Sequence, residues 1–304
     1  MQKNFSLVLS NVSINKKEKA KNSHDLTATN LIKNIIRRGS EVRDQIIIIK
    51  LPSVIIEDDQ LLTNFAENVN LISICGAKVF IVHDHTNLVG TTLRAFGVDE
   101  KIVNNIKVAD QKSSQIVEMV LSGYVNKLIV SKFCQAGCHA IGISGKDGNL
   151  IQAKKSKLSY KRAIDEDVID LGFTSEPVMI NPEILLSLED SDIIPIISPV
   201  ASDESNRTHL LDVNLTTSLI ASSLDADYLI LPCEELILGE KNLKIKDAKI
   251  LHKLLQAKKH DPKTIKLIEA AVCALANSTD CVHFVNATSP DSILLSIFSD
   301  PVTT

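Results

Sequence analysis

The stretch Gln45-Ile-Ile-Ile-Ile-Lys-Leu-Pro-Ser53 decides the fold. Its run of isoleucines shows no alternation between apolar and polar residues, which is typical of a strand buried on both faces of a sheet. We therefore predict a buried strand over Gln45–Lys50, with Lys50 at its end. A strand of this kind needs helices above and below it, and the rest of the sequence supplies them.

Apolar segments of strand length alternate with segments of helical spacing along the whole chain. A helix is predicted over Asp59–Ile74, for example, because Leu61, Leu62, Phe65, Val69 and Ile72 recur at helical intervals. The order predicts an α/β fold, a three-layer αβα sandwich around a mostly parallel sheet. The other predicted strands are Lys78–His83, His139–Ser144, Ile193–Ser198, Asp227–Leu231 and Val282–Val285; the other predicted helices are Leu26–Arg38 (ended by Gly39), Leu88–Phe96, Ser113–Gln135, Pro182–Leu188, Asn214–Leu224, Ala248–Lys258, Pro262–Ala276 and Pro290–Phe298; a polar, hairpin-like section covers Asn149–Met179.

The composition fits a large α/β domain and argues against some functions. The chain has 304 residues, of which 44% are hydrophobic, enough for one large domain or two closely packed lobes. The net charge of −4 is small, so we expect no nucleic-acid partner and no membrane surface. The longest apolar runs are far shorter than the roughly 20 residues that cross a bilayer. We expect no secretory signal in the first fifteen residues.

Cysteine and glycine usage adds two further expectations. Six cysteines are scattered, mostly in apolar stretches, which indicates reduced thiols in a reducing compartment. Eleven glycines in 304 residues fall below the usual share of about 7%. Because enzymes that wrap phosphates with backbone amides normally need glycine, this scarcity is a first indication that phosphate-binding turns are missing.

A series of distinctive segments runs along the chain: Ile116–Val130, Ala140–Ala153, Asp170–Phe173 with Asn181–Glu183, and Ile194–Ser205. In this order and spacing they resemble acetylglutamate kinase, of the amino-acid kinase family. The resemblance extends from about Ala28 to Thr304. The stretch Val200-Ala-Ser-Asp-Glu-Ser205 is most similar to the cyanobacterial and plastid branch.

The resemblance implies an activity and a set of partners. Members of the family phosphorylate the side-chain carboxylate of N-acetyl-L-glutamate with Mg-ATP, in the second step of arginine synthesis. The implied ligands are N-acetyl-L-glutamate and Mg-ATP, in the cytoplasm or the plastid stroma. A dimeric or hexameric homo-oligomer is implied too, because the predicted helix Leu26–Arg38 is similar to the N-terminal helix of hexameric, arginine-inhibited relatives. The P-II nitrogen-signalling protein is a further implied partner.

The resemblance also divides the chain into parts. Residues 1–25 are rich in Asn, Lys and Ser and are predicted to be disordered or an arm. Residues 26–304 are predicted to form a single amino-acid kinase domain. Its N-lobe, about residues 45–200, would hold the acyl substrate, and its C-lobe, about residues 201–304, would hold the nucleotide.

Three positions correspond to catalytic residues of the family. Lys50 keeps the lysine at the end of the first strand, but Pro52 and Ser53 replace the glycines that follow it. Proline has no N–H and cannot donate a hydrogen bond to a phosphate. Asn214 replaces the aspartate that organises the catalytic lysines, and Leu267 replaces the second catalytic lysine. Lys50 is either the remaining catalytic lysine or a solvated lysine at a strand end.

Five positions correspond to the family's contacts with the acyl substrate. His85 and Thr86 stand where the family has glycines against the substrate and the transferred phosphate. Lys107 replaces an arginine, which keeps the charge but loses the two-pronged grip on a carboxylate. Leu210 replaces a substrate-binding asparagine, and Asp212 replaces a second one. These changes predict weakened or altered substrate binding.

Two positions correspond to the nucleotide side. Lys146 lies in the intact turn Ser144-Gly-Lys-Asp-Gly148, which is either an anion-approaching turn or a structural hairpin turn. Glu234 keeps the acid of the nucleotide-binding turn. By the resemblance Mg-ATP is the cofactor, although the replaced residues put its binding in question.

The sequence His83-Asp84-His85 invites a comparison with metal sites. Adjacent residues at a strand end point apart, and no third ligand is in view, so we predict no metal site.

Two functions remain open at this level. In the first, the chain is a kinase fold with impaired or lost phosphoryl transfer, a pseudokinase or regulatory subunit. In the second, it is a divergent but active acetylglutamate kinase or a related carboxylate kinase. A single lost electrostatic stabiliser in an active site raises a barrier by roughly 3–4 kcal/mol, so the combined replacements favour the first.

Overall fold

The computed structural model of the protein describes residues 33, 36–98, 101–103, 106–108, 111–155, 174–189, 191–234, 237, 242–256 and 260–298. Thirteen strands lie within these ranges. They are β1 Ile46–Leu51, β2 Lys78–His83, β3 Lys101–Val103, β4 Ile106–Val108, β5 His139–Ser144, β6 Ile151–Lys155, β7 Thr174–Ile180, β8 Ile193–Ser198, β9 Val200–Ser202, β10 Thr208–Leu211, β11 Tyr228–Cys233, β12 Asn242–Ile245 and β13 Cys281–Asn286.

Helices occupy most of the connections between these strands. Residues 36–41 are helical as well. The helices are α1 Ser53–Ile56, α2 Asp59–Ile74, α3 Thr86–Ala95, α4 Gln111–Glu118, which continues through a π-helical segment Met119–Val125 into α5 Asn126–Gln135, α6 Glu183–Glu189, α7 Val213–Ser223, α8 Ala248–Gln256, α9 Pro262–Ala276 and α10 Ser292–Phe298.

The strands form one large sheet and two small ones. The large sheet has seven strands in the order β12-β13-β11-β1-β2-β8-β5, and only β12 runs antiparallel to its neighbour. A small closed barrel consists of β10, β7, β6 and β9, and β3 pairs with β4 in a hairpin. The predicted α/β fold with a mostly parallel sheet is confirmed.

The isoleucine run lies at the centre of the sheet, where β1 pairs with β2 and β11. Ile47 and Ile49 belong to the hydrophobic cluster on one face, which includes α2 and α5. Ile48 belongs to the cluster on the other face, which includes α7, α8 and α9. Because side chains alternate along a strand, Lys50 points to the same side as Ile48, toward α7.

Two predicted helices differ from the structure in an informative way. The helix predicted to end before Gly39 continues to residue 41, and its predicted start at Leu26 lies outside the described residues. A Cβ at Gly39 would meet Cys75 Sγ at 3.2 Å, so glycine there permits close packing. The helix predicted over Ser113–Gln135 contains the π-helical segment Met119–Val125, which apolar spacing alone does not reveal.

Several short elements were missed because their residues alternate in polarity or are too few to form a pattern. They are α1, the β3–β4 hairpin, β9, β10 and the antiparallel edge strand β12. All six cysteines lie in the described ranges and are free thiols. Among the residues that the structure describes, no helix is both long enough and apolar enough to span a bilayer.

Candidate functional site

The carboxyl end of β1 places Lys50 beside the amino end of α7. Lys50 is buried, 9% exposed, and its Nζ donates a hydrogen bond to Asn214 Oδ1 at 2.6 Å. Asp212 caps α7 by accepting a hydrogen bond from the Leu215 amide at 3.1 Å. The structure therefore joins Lys50 and Asn214, two of the predicted catalytic positions, in one contact.

Acidic groups from neighbouring strand ends surround this lysine. Burial lowers the pKa of Lys50, and the charges of Asp84, Asp212, Cys233 and Glu234 partly oppose that shift. These residues follow β2, precede α7 and end β11, so three chain segments converge on one ammonium group. None of the described charges that act on the pKa of Lys50 is cationic.

Asp212 and Glu234 were predicted in other roles, and Cys233 was not predicted as a site residue. Asp212 and Glu234 were assigned to the substrate and the nucleotide, whereas here both act on Lys50. Cys233 ends β11, and its Sγ donates to the Val285 carbonyl at 3.4 Å. Its place directly before Glu234, at a parallel strand end, is the signal that could have found it.

The turn after β1 contains no glycine and closes as a helix. Pro52 is the N-cap of α1, and its carbonyl accepts hydrogen bonds from the Ile55 and Ile56 amides at 3.1 and 3.4 Å. Proline contributes no N–H at the point where a phosphate would approach. The chain therefore leaves β1 through a short helix in place of a glycine-rich loop.

The turn after β2 directs its two histidines to different partners. His83 is fully buried, with Nε2 at 3.3 Å from Asn126 Nδ2, and burial lowers the pKa of His83 to about 4. His85 Nδ1 lies 3.6 Å from Glu57 Oε1, and burial lowers the pKa of His85. The two rings do not share a ligand, and no group of three or more metal-ligating side chains occurs in the described residues.

Of the remaining substrate positions, Leu210 has a described side chain, and that side chain is apolar. Leu210 is 2% exposed and packs in the hydrophobic cluster around α2 and α5. Thr86 begins α3 and Lys107 lies in β4 opposite Ile102, but the side chains of Thr86 and Lys107 lie outside the described part of the chain.

Leu267, predicted to replace the family's second catalytic lysine, stands in the hydrophobic interior. It is 4% exposed and packs in the cluster formed by α7, α8 and α9. The neighbouring Lys266 is only partly buried. Consecutive residues of a helix point about 100° apart, so Lys266 does not take over the direction of Leu267.

The ammonium group of Lys146 is bonded to other side chains of the protein. Lys146 Nζ donates to Glu118 Oε2 at 2.8 Å and to Thr208 Oγ1 at 2.9 Å. Asp147 Oδ2 accepts hydrogen bonds from the Ser144 amide and hydroxyl, both at 2.7 Å. These contacts favour the structural interpretation of the turn over an anion-binding one.

The seven-stranded, mostly parallel sheet with its covering helices is the fold of the amino acid kinase family. A model of the amino acid kinase family matches residues 45–284, so the chain belongs to that family. Acetylglutamate kinases are among its relatives. The chain is 35% identical over 262 residues to that of Campylobacter hominis, covering 85% of this chain and 89% of the relative, and 30% identical over 260 residues to that of Archaeoglobus fulgidus, covering 83% and 89%.

Solved structures of other proteins share the fold. The N-acetylglutamate synthase of Neisseria gonorrhoeae superimposes with a TM-score of 0.70 at 17% identity, covering 91% of this chain and 62% of the synthase. The present chain thus spans less than two thirds of that synthase. The carbamate kinase of Giardia lamblia gives a TM-score of 0.59 at 12% identity, covering 82% and 94%. At these identities the similarity concerns the fold alone.

Proposed function

We propose that this chain is an acetylglutamate kinase-like protein of arginine biosynthesis in which phosphoryl transfer from ATP to N-acetyl-L-glutamate is impaired or lost. Its role would then be that of a pseudokinase or regulatory subunit. The compartment we expect is the cytoplasm or the plastid stroma.

The surroundings of Lys50 carry this proposal. Phosphoryl transfer between two anions depends on cations that neutralise the oxygens of the transferred group. Here one buried ammonium is bonded to the neutral amide of Asn214, and acidic Asp84, Asp212 and Glu234 act on it. The position of the second lysine is an apolar residue in the core, Leu267. A triphosphate would meet more negative than positive charge here.

The replaced substrate positions extend the same argument to N-acetyl-L-glutamate. Leu210 offers no hydrogen bond, and Asp212 adds a carboxylate where an anionic substrate would lie. His85 brings a ring next to Glu57 at a position where the family has no side chain. We therefore propose that N-acetyl-L-glutamate and Mg-ATP bind more weakly than in active relatives.

Exposed apolar side chains support a homo-oligomer. Ile141 is 41% exposed on β5, the edge strand of the large sheet. Met119 and Tyr124 are 55% and 62% exposed on the adjoining π-helical segment. Large apolar side chains exposed along an edge strand and its neighbouring helix favour contact with another chain. The P-II protein stays a further proposed partner, on the resemblance alone.

The decisive experiment measures ADP release with N-acetyl-L-glutamate and Mg-ATP, with the Campylobacter hominis acetylglutamate kinase as the active reference. We expect turnover at least about a thousandfold below the reference, because one lost charge stabiliser already costs about a hundredfold to a thousandfold. Lys50→Ala should leave that background unchanged. The thermal shift on addition of Mg-ATP, measured in parallel, shows whether the nucleotide still binds when turnover is lost.

The opposite result would establish the alternative, a divergent but active kinase. Turnover within tenfold of the reference, abolished by Lys50→Ala, would end the pseudokinase proposal. Turnover that depends on a different carboxylate acceptor would end it equally, and would redefine the substrate.

A further inference from the structure

Charge is distributed unevenly along the chain. Residues 241–266 contain nine lysines, two aspartates, and neither glutamate nor arginine, a formal charge of +7. Because the whole chain carries −4, the remaining residues carry −11. The small net charge therefore averages one strongly basic segment with an acidic remainder.

Two lysines of the basic segment lie on the outer side of α8. Lys249 and Lys253 are exposed and lie one helical turn apart, while Leu251 and Leu254 on the opposite side pack into the core. Residues four apart on a helix have Cβ atoms about 5–6 Å from each other. The two ammonium groups can therefore contact adjacent charges on one partner.

Helix α9 extends the same surface. Both α8 and α9 cover one face of the sheet and share its hydrophobic cluster, so their outer sides face the same way. Lys263 is exposed at the start of α9, Lys266 follows one turn later, and Lys246 is exposed between β12 and α8. We call Lys246, Lys249, Lys253, Lys263 and Lys266 the lysine face.

The aspartates of the segment are engaged in capping. Asp247 Oδ1 accepts a hydrogen bond from the Lys249 amide at 2.8 Å. Asp261 accepts hydrogen bonds from the Lys263 and Thr264 amides at 2.7 and 3.1 Å. None of the ion pairs within the described ranges involves the five lysines of the face. Their charge is available to an external polyanion.

The residue composition of the lysine face favours one class of polyanion over the others. Protein interfaces are rich in aromatic residues and arginine and poor in lysine, but in the described residues no large apolar side chain is exposed between Leu186 and Leu295. The sequence has no Phe, Tyr or Trp between Tyr228 and Phe284, so bases have no stacking platform. A surface rich in lysine suits the dense phosphates of a duplex, which carries one charge per about 1.7 Å.

We propose that the lysine face binds the phosphate backbone of double-stranded DNA without reading its sequence. The proposal departs from the expectation drawn from net charge, because the charge is concentrated on one surface. It does not depend on whether the chain has kinase activity.

The test is fluorescence anisotropy of a labelled duplex of arbitrary sequence with the full chain. Neutralising four or five phosphates gives a slope of about −4 for the logarithm of affinity against the logarithm of salt concentration, roughly a 200-fold loss between about 50 and 200 mM salt. The variant Lys249→Glu/Lys253→Glu/Lys263→Glu should lose at least about tenfold in affinity and flatten the slope by about 2–3.

A matched variant separates the face from overall charge. Lys33→Glu/Lys112→Glu/Lys154→Glu changes the net charge equally at exposed lysines elsewhere, and should keep most of the affinity. Equal losses in both variants would overturn the proposal. So would an absence of binding at low salt, tighter binding of the single strand than of the duplex, or binding of polyglutamate in place of DNA, which would mark an acidic protein as the partner.

Discussion

The lysine at the centre of the sheet and the lysine at its edge are held in opposite ways. Lys50, at the end of β1, is buried and donates to the neutral amide of Asn214 at 2.6 Å. Lys146, in the turn after β5, is partly exposed and donates to the Glu118 carboxylate at 2.8 Å. The intact motif thus uses its lysine to hold the turn, whereas the altered motif keeps a lysine whose charge has no bonded carboxylate in the described contacts.

A chain can therefore retain a sequence motif without retaining the chemical function of that motif. The turn Ser144–Gly148 matches the family pattern, yet Lys146 is committed to Glu118 and Thr208. The strand end at Lys50 departs from the pattern, yet burial changes the pKa of its amine. Similarity to the family pattern therefore does not predict which of the two lysines is bonded to a carboxylate.

The largest expected effect tests whether a lysine can be restored at position 267. Leu267→Lys places an ammonium group in a hydrophobic cluster, and we expect the free energy of unfolding to fall by about 3–5 kcal/mol. Urea denaturation measures this, with Lys266→Leu as the matched control, expected to change stability by less than about 1 kcal/mol. A stable Leu267→Lys protein with restored turnover would show that the position opens into the site.

The next effect concerns pH and the buried histidine next to Asp84. The pKa of His83 is about 4 in the folded protein and about 6.5 in an unfolded chain. The unfolded state therefore binds the proton first, and stability falls as pH drops from about 6.5 to 4, by about 3 kcal/mol.

Urea midpoints across that pH range measure the His83 contribution. Glutamine does not titrate, so the free energy of unfolding of His83→Gln should fall less steeply across that pH range than that of the unchanged protein. His283 is buried under α10, and burial lowers its pKa to about 3. It adds its own contribution to the pH dependence of stability, which His283→Gln removes. An unchanged slope in His83→Gln would show that His83 titrates normally.

The smallest effect compares the two lysine contacts directly. Asn214→Leu leaves the buried Lys50 ammonium without its acceptor, and we expect a loss of about 2 kcal/mol in the free energy of unfolding. Glu118→Leu breaks a contact whose side chains are 27% and 41% exposed, and we expect a loss of less than about 1 kcal/mol. Equal losses, measured by urea denaturation, would mean that both lysines are held in the same way.

Much of the fold follows from local patterns. Strands buried on both faces leave an unmistakable apolar run, so β2 and β8 were predicted with their observed bounds, and the bounds of the edge strand β5 were predicted as well. Helix α2 was predicted over its observed range because its apolar side faces a packed core. Short edge elements such as β12 were missed, because four residues carry too little periodicity and their pairing depends on distant residues.

The sequence by itself determined the fold, the family and the places where glycine and lysine are missing, because each of these depends on residue types at fixed positions. Only the tertiary structure decided which charges act on Lys50, since Asp84, Asp212 and Glu234 come from three distant segments. It also decided that Lys146 is bonded to Glu118 and that the lysines of α8 and α9 share one surface. Electrostatic surroundings depend on distance in space, and spacing along the chain does not encode that distance.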